Sequence, residues 1–104
     1  MTPEILQERV IDALRSVFDP EIPVNIYDLG LVYGIDIAAD KGHVHIRLTL
    51  TAPGCPVAQS FPATVADAVE QVEGVDDVEV ELVWEPPWSR EMMSEAARLQ
   101  LGLL

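Results

Sequence analysis

Residues 43–56 read HVHIRLTLTAPGCP, and the change of periodicity inside this stretch decides the fold. Its first part alternates apolar with polar residues, which is typical of a half-buried β-strand: Val44, Ile46, Leu48 and Leu50. From Cys55 onward, apolar residues recur at three- and four-residue spacing, which indicates a helix. Pro56 has the fixed φ that suits a first helical position and has no N–H to leave unpaired. The sequence therefore predicts Cys55 at the N-cap of a helix.

Cys55 is the only cysteine of the chain. The positive end of a helix favours thiolate over thiol, so we expect the pKa of Cys55 to lie below the free value of about 8.5. A lone cysteine can also be an inert, buried small hydrophobe. The usual N-cap residues have an oxygen acceptor that cysteine replaces poorly. We therefore interpret Cys55 as a reactive or metal-binding thiol.

Upstream of this stretch, the sequence predicts a helix and then a strand. Thr2 and Pro3 form a helix start signal, and apolar residues at helical spacing continue to about Phe18. The residue before a proline is disfavoured in a helix, so two pairs predict an irregular segment over 19–30: Asp19-Pro20 and Ile22-Pro23. A strand follows, with alternating Leu31, Tyr33, Ile35 and Ile37. The turn signal at 40–42 predicts that it pairs antiparallel with the strand that begins at residue 43.

Downstream of Cys55, the sequence predicts a helix, a third strand and a last helix. Helical spacing extends to Gly74, although Pro62 is expected to kink the helix or break its first turn. The third strand alternates Val78, Val80, Leu82 and Trp84. Ser89 is predicted to cap the last helix, which carries Met92, Met93, Ala96 and Leu99.

This order predicts one α+β domain over residues 1–104. The expected architecture is a small three-stranded mixed sheet with helices packed on one face, in the order α-β-β-α-β-α. The second and third strands are joined through a helix, which favours a parallel, right-handed pair.

The composition is strongly acidic. With 18 acidic and 6 basic residues among 104, the net charge is −12, which argues against nucleic acid and anionic membranes as partners. Proteins with basic patches are the expected partners. No apolar run reaches the roughly 20 residues of a membrane span, and the N-terminus lacks a basic secretion signal. One cysteine cannot form an internal disulfide, so we expect a cytoplasmic protein.

Further candidate site residues flank the predicted cysteine turn. Asp19 and Glu21 present two carboxylates on a loop stiffened by prolines, although such residues also cap helix ends and turns. Thr51 precedes the turn, where its hydroxyl can bind a ligand or only pair across strands. His43 and His45 have metal-ligand spacing but lie at the far end of the strand, so we interpret them as surface residues. Without a nearby histidine Cys55 lacks a general base, and the chain is predicted not to be an enzyme.

Taken together, several segments resemble the SufT/PaaD-like family, which is associated with the assembly or delivery of iron–sulfur clusters. They occur in the order in which that family has them: Asp19–Tyr33, Thr51–Pro56, Trp84–Trp88 and Met92–Ala96. The resemblance implies that Cys55 is the functional thiol and that Asp19, Glu21 and Thr51 line the same site. PaaD-type subunits have extra cysteines in a C-terminal zinc-binding region, and this chain has none. Support of a multicomponent oxygenase is therefore a weaker alternative than general maturation.

A single cysteine limits what the chain can do with a cluster. Iron–sulfur clusters normally take four thiolates, so Cys55 cannot hold one alone. Two copies paired near their cysteine turns would supply two thiolates, and a scaffold or client protein would supply the rest. The sequence thus predicts a maturation factor in which iron or a cluster is bound transiently and can be absent from the isolated protein. A pure adaptor with an incidental thiol is the alternative.

Overall fold

The computed structural model describes residues 2–19, 22–51 and 60–102, and these form an α+β structure. The elements are α1 (Pro3–Leu14), α2 (Ile26–Leu29), β1 (Val32–Ala38), β2 (His43–Leu48), α3 (Phe61–Glu70), β3 (Asp77–Leu82), a 3₁₀ turn over Arg90–Met92, and α4 (Glu95–Gln100). The predicted order is confirmed, with one addition: the single-turn helix α2 lies in the segment that was expected to be irregular. None of the helices in these ranges combines the length and apolar character that a membrane span requires.

The sheet is three-stranded and mixed, as the sequence predicted. Strand β2 lies in the centre, antiparallel to β1 and parallel to β3. The parallel register begins at His43 opposite Asp77 and ends at Leu48 opposite Leu82. Helix α3 makes the connection between these two strands, since parallel neighbours cannot be joined by a hairpin.

One face of the sheet packs against helices. The apolar residues of the central strand are fully buried on that face: Val44, Ile46 and Leu48. They share the core with Leu6, Val10 and Leu14 of α1 and with Phe61, Val65 and Val69 of α3. The opposite face of β2 carries His43, His45 and Arg47, whose side chains are partly exposed. The period-two pattern of β2 thus divides the sheet into a core face and an open face.

The helix boundaries follow from caps and prolines. Thr2 caps α1, because its side chain accepts a hydrogen bond of 3.2 Å from the Ile5 N–H. This helix ends at Leu14, four residues before the predicted end at Phe18. Pro62 is the second residue of α3, where the missing N–H would have had no helical partner, so the expected kink is unnecessary. Ser60 occupies the N-cap position of α3, and the predicted Cys55 cap lies outside the described residues.

The last helix is capped by Ser94 and not by Ser89 as predicted. The Ser94 side chain accepts a hydrogen bond of 3.1 Å from the Ala97 N–H, while Ser89 makes no side-chain cap bond. Met93 is extended, which separates the 3₁₀ turn from α4. The helical spacing in the sequence therefore spans two elements, and a propensity argument could not place the break between them.

Residues 84–100, which we name the C-terminal clasp, pack on the turn formed by Asn25–Gly30. The indole N–H of Trp88 donates a 2.7 Å hydrogen bond to the Leu29 carbonyl. The Ser94 N–H donates a 2.8 Å bond to the Asp28 carbonyl. Gly30 closes this contact, because a Cβ at that position would overlap the carbonyl oxygen of Met92.

A pair of glycine variants measures how tightly the clasp packs. Gly30 and Gly102 both have positive φ, at +82° and +72°. Alanine at Gly30 would add a clash to the backbone strain, so we expect Gly30→Ala to lower the free energy of unfolding by about 3 kcal/mol or more. Urea denaturation followed by circular dichroism measures the loss.

Gly102→Ala is the matched control. A Cβ at Gly102 meets no atom within 4 Å. The strain alone should cost about 1 kcal/mol. Equal losses in the two variants would show that the Gly30 to Met92 contact does not limit the packing of the clasp.

Candidate functional site

Asp19 lies in a closed loop between α1 and α2. Its side chain is buried, and its Oδ2 accepts a 2.8 Å hydrogen bond from the Ile22 N–H. The Asp19 N–H donates a 3.2 Å bond to the Val24 carbonyl, which closes the other side of the loop. At least one carboxylate oxygen therefore serves the turn, which is the alternative that the sequence left open. Glu21 lies outside the described residues, so its role stays a prediction.

Thr51 lies just beyond the carboxyl end of the central strand. Its side chain is partly buried, and the backbone pairing of β2 continues past Leu48 because the Thr49 N–H donates to the Leu31 carbonyl at 2.8 Å. Cys55 follows four residues later, outside the described residues. Four residues span at most about 14 Å, so Cys55 lies within that distance of Thr51 whatever the path of the chain. The predicted pairing of these residues in one site remains a prediction.

A cavity of about 220 Å³ opens beside Thr51. We name it the threonine–tryptophan cavity after its lining residues: Thr49, Leu50, Thr51, Trp84, Pro87 and Trp88. The C-terminal clasp supplies three of these residues, so its docking creates the cavity. The sequence placed Trp84 on the third strand and Trp88 only in a family segment, and no spacing rule relates them to the threonines.

Thr49 is the unusual residue of this cavity. The strand pattern grouped it with polar residues, yet it is only 1% exposed. Among the described residues, its hydroxyl oxygen has no hydrogen-bond partner of normal geometry. A buried hydroxyl without a partner costs free energy, and this oxygen is also closed to solvent.

Tyr33 lies next to this hydroxyl and is fixed by the clasp. The register of the β1 and β2 pair shifts between Val32 and Gly34, so Tyr33 is the extra residue of a bulge. It therefore leaves the alternating face that the sequence predicted, and its hydroxyl donates a 2.7 Å hydrogen bond to the Pro86 carbonyl. Burial raises the pKa of Tyr33, and the nearby Thr49 hydroxyl partly opposes that rise.

The two histidines lie on the open face of the sheet, away from the core. His43 Nδ1 is 2.8 Å from Asp77 Oδ2, and His45 Nε2 is 3.1 Å from Glu81 Oε1. Each imidazole is thus engaged by a carboxylate of the neighbouring strand, as expected for cross-strand surface pairs. Within residues 2–19, 22–51 and 60–102, no three His, Cys, Asp or Glu side chains come together in a way that could hold a metal ion.

With this geometry in place, comparison with known proteins identifies the family. Residues 7–82 match the family described as iron-sulfur cluster assembly protein. The chain belongs to that family. The match includes Asp19, Thr51 and Cys55, and it confirms the relationship that the motifs indicated.

Relatives in this family cover the chain from end to end. A Porphyromonas gingivalis protein named Fe-S protein maturation auxiliary factor is 51% identical over 106 residues, which is 100% of either chain. Fe-S protein maturation auxiliary factor YitW of Bacillus subtilis is 45% identical, over 96% of this chain and 97% of its own length. The crystal structure of a domain of unknown function from Bacillus anthracis superposes with a TM-score of 0.87 at 36% identity, covering 97% of this chain and 95% of that one.

The residues that carry the family pattern fall into two groups in the structure. Asp28, Gly30 and Trp88 hold the clasp on the α2 turn. Thr51, by contrast, lines a cavity at the end of the central strand and leads to Cys55. A motif in this family therefore combines residues that hold the fold together with residues that line a site.

Stability at high pH tests the position of Tyr33. Its pKa is raised above the ordinary 10.0, so the folded chain keeps this proton at a pH where the unfolded chain releases it. The contribution of Tyr33 to the free energy of unfolding is full below pH 10.0, and it is lost as the pH rises through the pKa of Tyr33 in the folded chain. We expect the free energy of unfolding to decline as the pH rises above 10.0, measured by urea denaturation at each pH.

Tyr33→Phe should remove most of that decline and cost about 1 kcal/mol at neutral pH, because the hydrogen bond to Pro86 is lost. Tyr27→Phe is the matched control and should retain the decline. If the Tyr33→Phe protein declines as steeply as the unaltered chain, Tyr33 is not the titrating group.

Proposed function

We propose that this chain is an iron–sulfur maturation factor that carries iron or a cluster transiently to client proteins. Cys55 is the proposed ligand, and Asp19, Glu21 and Thr51 assist it. The observation that carries the proposal is the family match over residues 7–82, which contains all four of these positions. Iron or the cluster is the cargo of this protein and leaves with the client.

The geometry around Thr51 supports this assignment. The central strand ends in two threonines beside a cavity, and the chain then leads to Cys55 within about 14 Å of Thr51. A strand end is a suitable base for a reactive group that follows it closely in sequence, since the strand end itself is fixed before any partner binds. Asp19 is likewise held by its closed loop.

Incomplete ligation suits a carrier. A cluster normally takes four thiolates and this chain has one cysteine, so the remaining ligands come from a scaffold, a client or a second copy of the chain. A cluster held by so few ligands from each protein transfers readily, because each exchange breaks only one or two bonds. A resident electron carrier would instead need a complete set of cluster ligands from its own chain.

The partners are proteins, and the surroundings are reducing. The net charge of −12 disfavours nucleic acid and anionic lipid surfaces, so the proposed partners are scaffold and client proteins. A thiolate ligand persists best where disulfides are reduced, which favours the cytoplasm. No general base is assigned to Cys55, and the protein is proposed to be a carrier without catalytic turnover.

Substitution of Cys55 is the direct test. Cys55→Ala should abolish delivery of a cluster to an apo client enzyme, because the ligand is lost. It should leave the fold intact, which circular dichroism checks. Anaerobic transfer from a loaded scaffold, followed by client activity and iron analysis, measures the effect. Thr64→Val, an exposed substitution on α3, is the control that should retain full transfer.

The same experiment separates a carrier from an adaptor. An adaptor only brings scaffold and client together, so it does not need the thiol. Full transfer by Cys55→Ala, with partner binding retained, would exclude the carrier and favour the adaptor.

Alkylation of Cys55 tests the ionised thiol independently of any partner. If the thiolate is stabilised, the rate of reaction with iodoacetamide should reach half its maximum below the free cysteine value of about pH 8.5. Mass spectrometry of the intact chain measures that rate across pH, with free cysteine as the reference. A midpoint at or above the free value would contradict a stabilised thiolate.

A further inference from the structure

The open face of the sheet is exposed on all three strands. On β3, the exposed Asp77, Glu79 and Glu81 alternate with half-buried apolar residues of the core face. Arg47 of β2 and Asp36 of β1 are also exposed. Helices α1 and α3 contribute their buried residues to the core on the other side of the sheet. The open face is therefore accessible to another molecule.

Acidic side chains outnumber basic ones on this face. The carboxylates belong to Asp36, Asp77, Glu79, Glu81 and, just beyond the strand, Glu85. Arg47 supplies a guanidinium that lies across β1, since a Cβ at Gly34 would overlap it. Its Nη1 is 3.4 Å from Asp36 Oδ2. The carboxylates therefore remain in excess even when His43 and His45 are both protonated.

Two of these carboxylates have no cationic side chain beside them in the part of the chain that the structure describes. They are Glu79 and Glu85, whereas each of the other three contacts an arginine or a histidine. An exposed carboxylate without a partner accepts a cation without first breaking an ion pair. Glu79 and Glu85 are six residues apart, so they are separated by at most about 21 Å.

An apolar groove of about 550 Å³ opens where the open face meets the C-terminal clasp. We name it the clasp groove, and its apolar walls are Val32, Val83, Pro86 and Met92. Glu85 also lines it, as does Arg47 of the open face. The 2.7 Å hydrogen bond from the Tyr33 hydroxyl to the Pro86 carbonyl fixes the clasp as one wall. The groove has room for an apolar side chain of another protein.

The acidic and apolar positions follow one another at two-residue spacing. Along the chain they are Glu79, Glu81, Val83 and Glu85. Alternate residues of an extended chain point to one side and lie about 6.6 Å apart. A second extended segment laid over this row has the same spacing between the side chains that face it. Three basic side chains and one apolar side chain would therefore match the row.

A second copy of the chain does not suit this face. In a two-fold dimer the same patch meets itself, so the carboxylates of one copy would lie against those of the other. Like charges brought together across an interface cost free energy. The net charge of −12 adds to this repulsion. A basic segment of a different protein meets the opposite situation, because its charge is complementary to the face.

We propose that the open face and the clasp groove together dock an extended basic segment of a partner protein. Its apolar side chain occupies the clasp groove beside Val83, and its lysine or arginine side chains contact Glu79, Glu81 and Glu85. The inference rests on the proposed function only in taking the partner to be a scaffold or client.

A peptide titration of the metal-free protein tests the docking surface. The probe is acetyl-Lys-Thr-Lys-Thr-Leu-Thr-Lys-amide, whose alternate residues carry the matching pattern. Backbone amide NMR shifts of ¹⁵N-labelled protein, recorded at about 0.1 M salt, locate the binding, since charges more than about 10 Å away are screened there. We expect saturable shifts with a Kd of about 1 mM. They should lie at Arg47, at residues 79–85 and at Met92, and not on α1 or α3.

Two altered peptides separate charge from apolar contact. Acetylation of the three lysines retains the chain and removes the charge, and it should abolish saturable binding. Serine in place of the leucine should weaken binding about fivefold, because the clasp groove then receives no apolar group.

Two double variants assign the charge contribution to this face. Glu79→Gln with Glu85→Gln should weaken binding about fivefold. Asp67→Asn with Glu70→Gln is the matched control, because it also removes two exposed carboxylates, from α3 on the other side of the sheet. It should change the affinity less than twofold. All four positions are exposed, so both proteins should fold.

Several results would overturn the proposal. They are an absence of saturable shifts, shifts centred on α1 and α3, equal binding of either altered peptide, and equal losses in the two double variants. A dimer that the peptide disperses would assign the face to a second copy instead. Cys55→Ser should bind the peptide normally, so failure of docking and failure of the carrier function are separate results.

Discussion

The hydrogen bond from the Trp88 indole to the Leu29 carbonyl ties the end of the chain to its first third, at a distance of 2.7 Å. A backbone carbonyl at the end of a one-turn helix has no helical partner, and Trp88 supplies one. Ser94 does the same for Asp28, at 2.8 Å. Because these contacts fix residues 84–100 on the Asn25–Gly30 turn, they also bring Trp84 and Pro87 to Thr49. The cavity exists only while the clasp is docked.

The motifs of this family thus serve two physical purposes. Gly30 has no Cβ because the Met92 carbonyl occupies the space, and this is a packing requirement of the clasp. Thr51 lies at the end of a central strand whose core face is fully buried, so its backbone is anchored on the side that leads to Cys55. A stable strand end before the proposed ligand Cys55 would let that ligand meet partners without disturbing the core.

Charge and ligation together support the proposed role, in which the cargo is bound only briefly. One cysteine cannot satisfy a cluster, and a net charge of −12 directs the chain toward basic protein surfaces.

The sequence by itself determined the strand order, the hairpin at 40–42, the Thr2 cap and the family, because each depends on local periodicity, turn chemistry or a run of neighbouring residues. It misplaced the helix break near Ser89 and Met93. It also assigned Tyr33 to the alternating face of β1 and grouped the buried Thr49 with the polar positions of β2. Only the tertiary structure decided those, since the Tyr33 hydroxyl bonds to Pro86, 53 positions away, and Thr49 lies beside Trp84 and Trp88 of the docked clasp. No local pattern encodes a neighbour that is brought in by the docking of a distant segment.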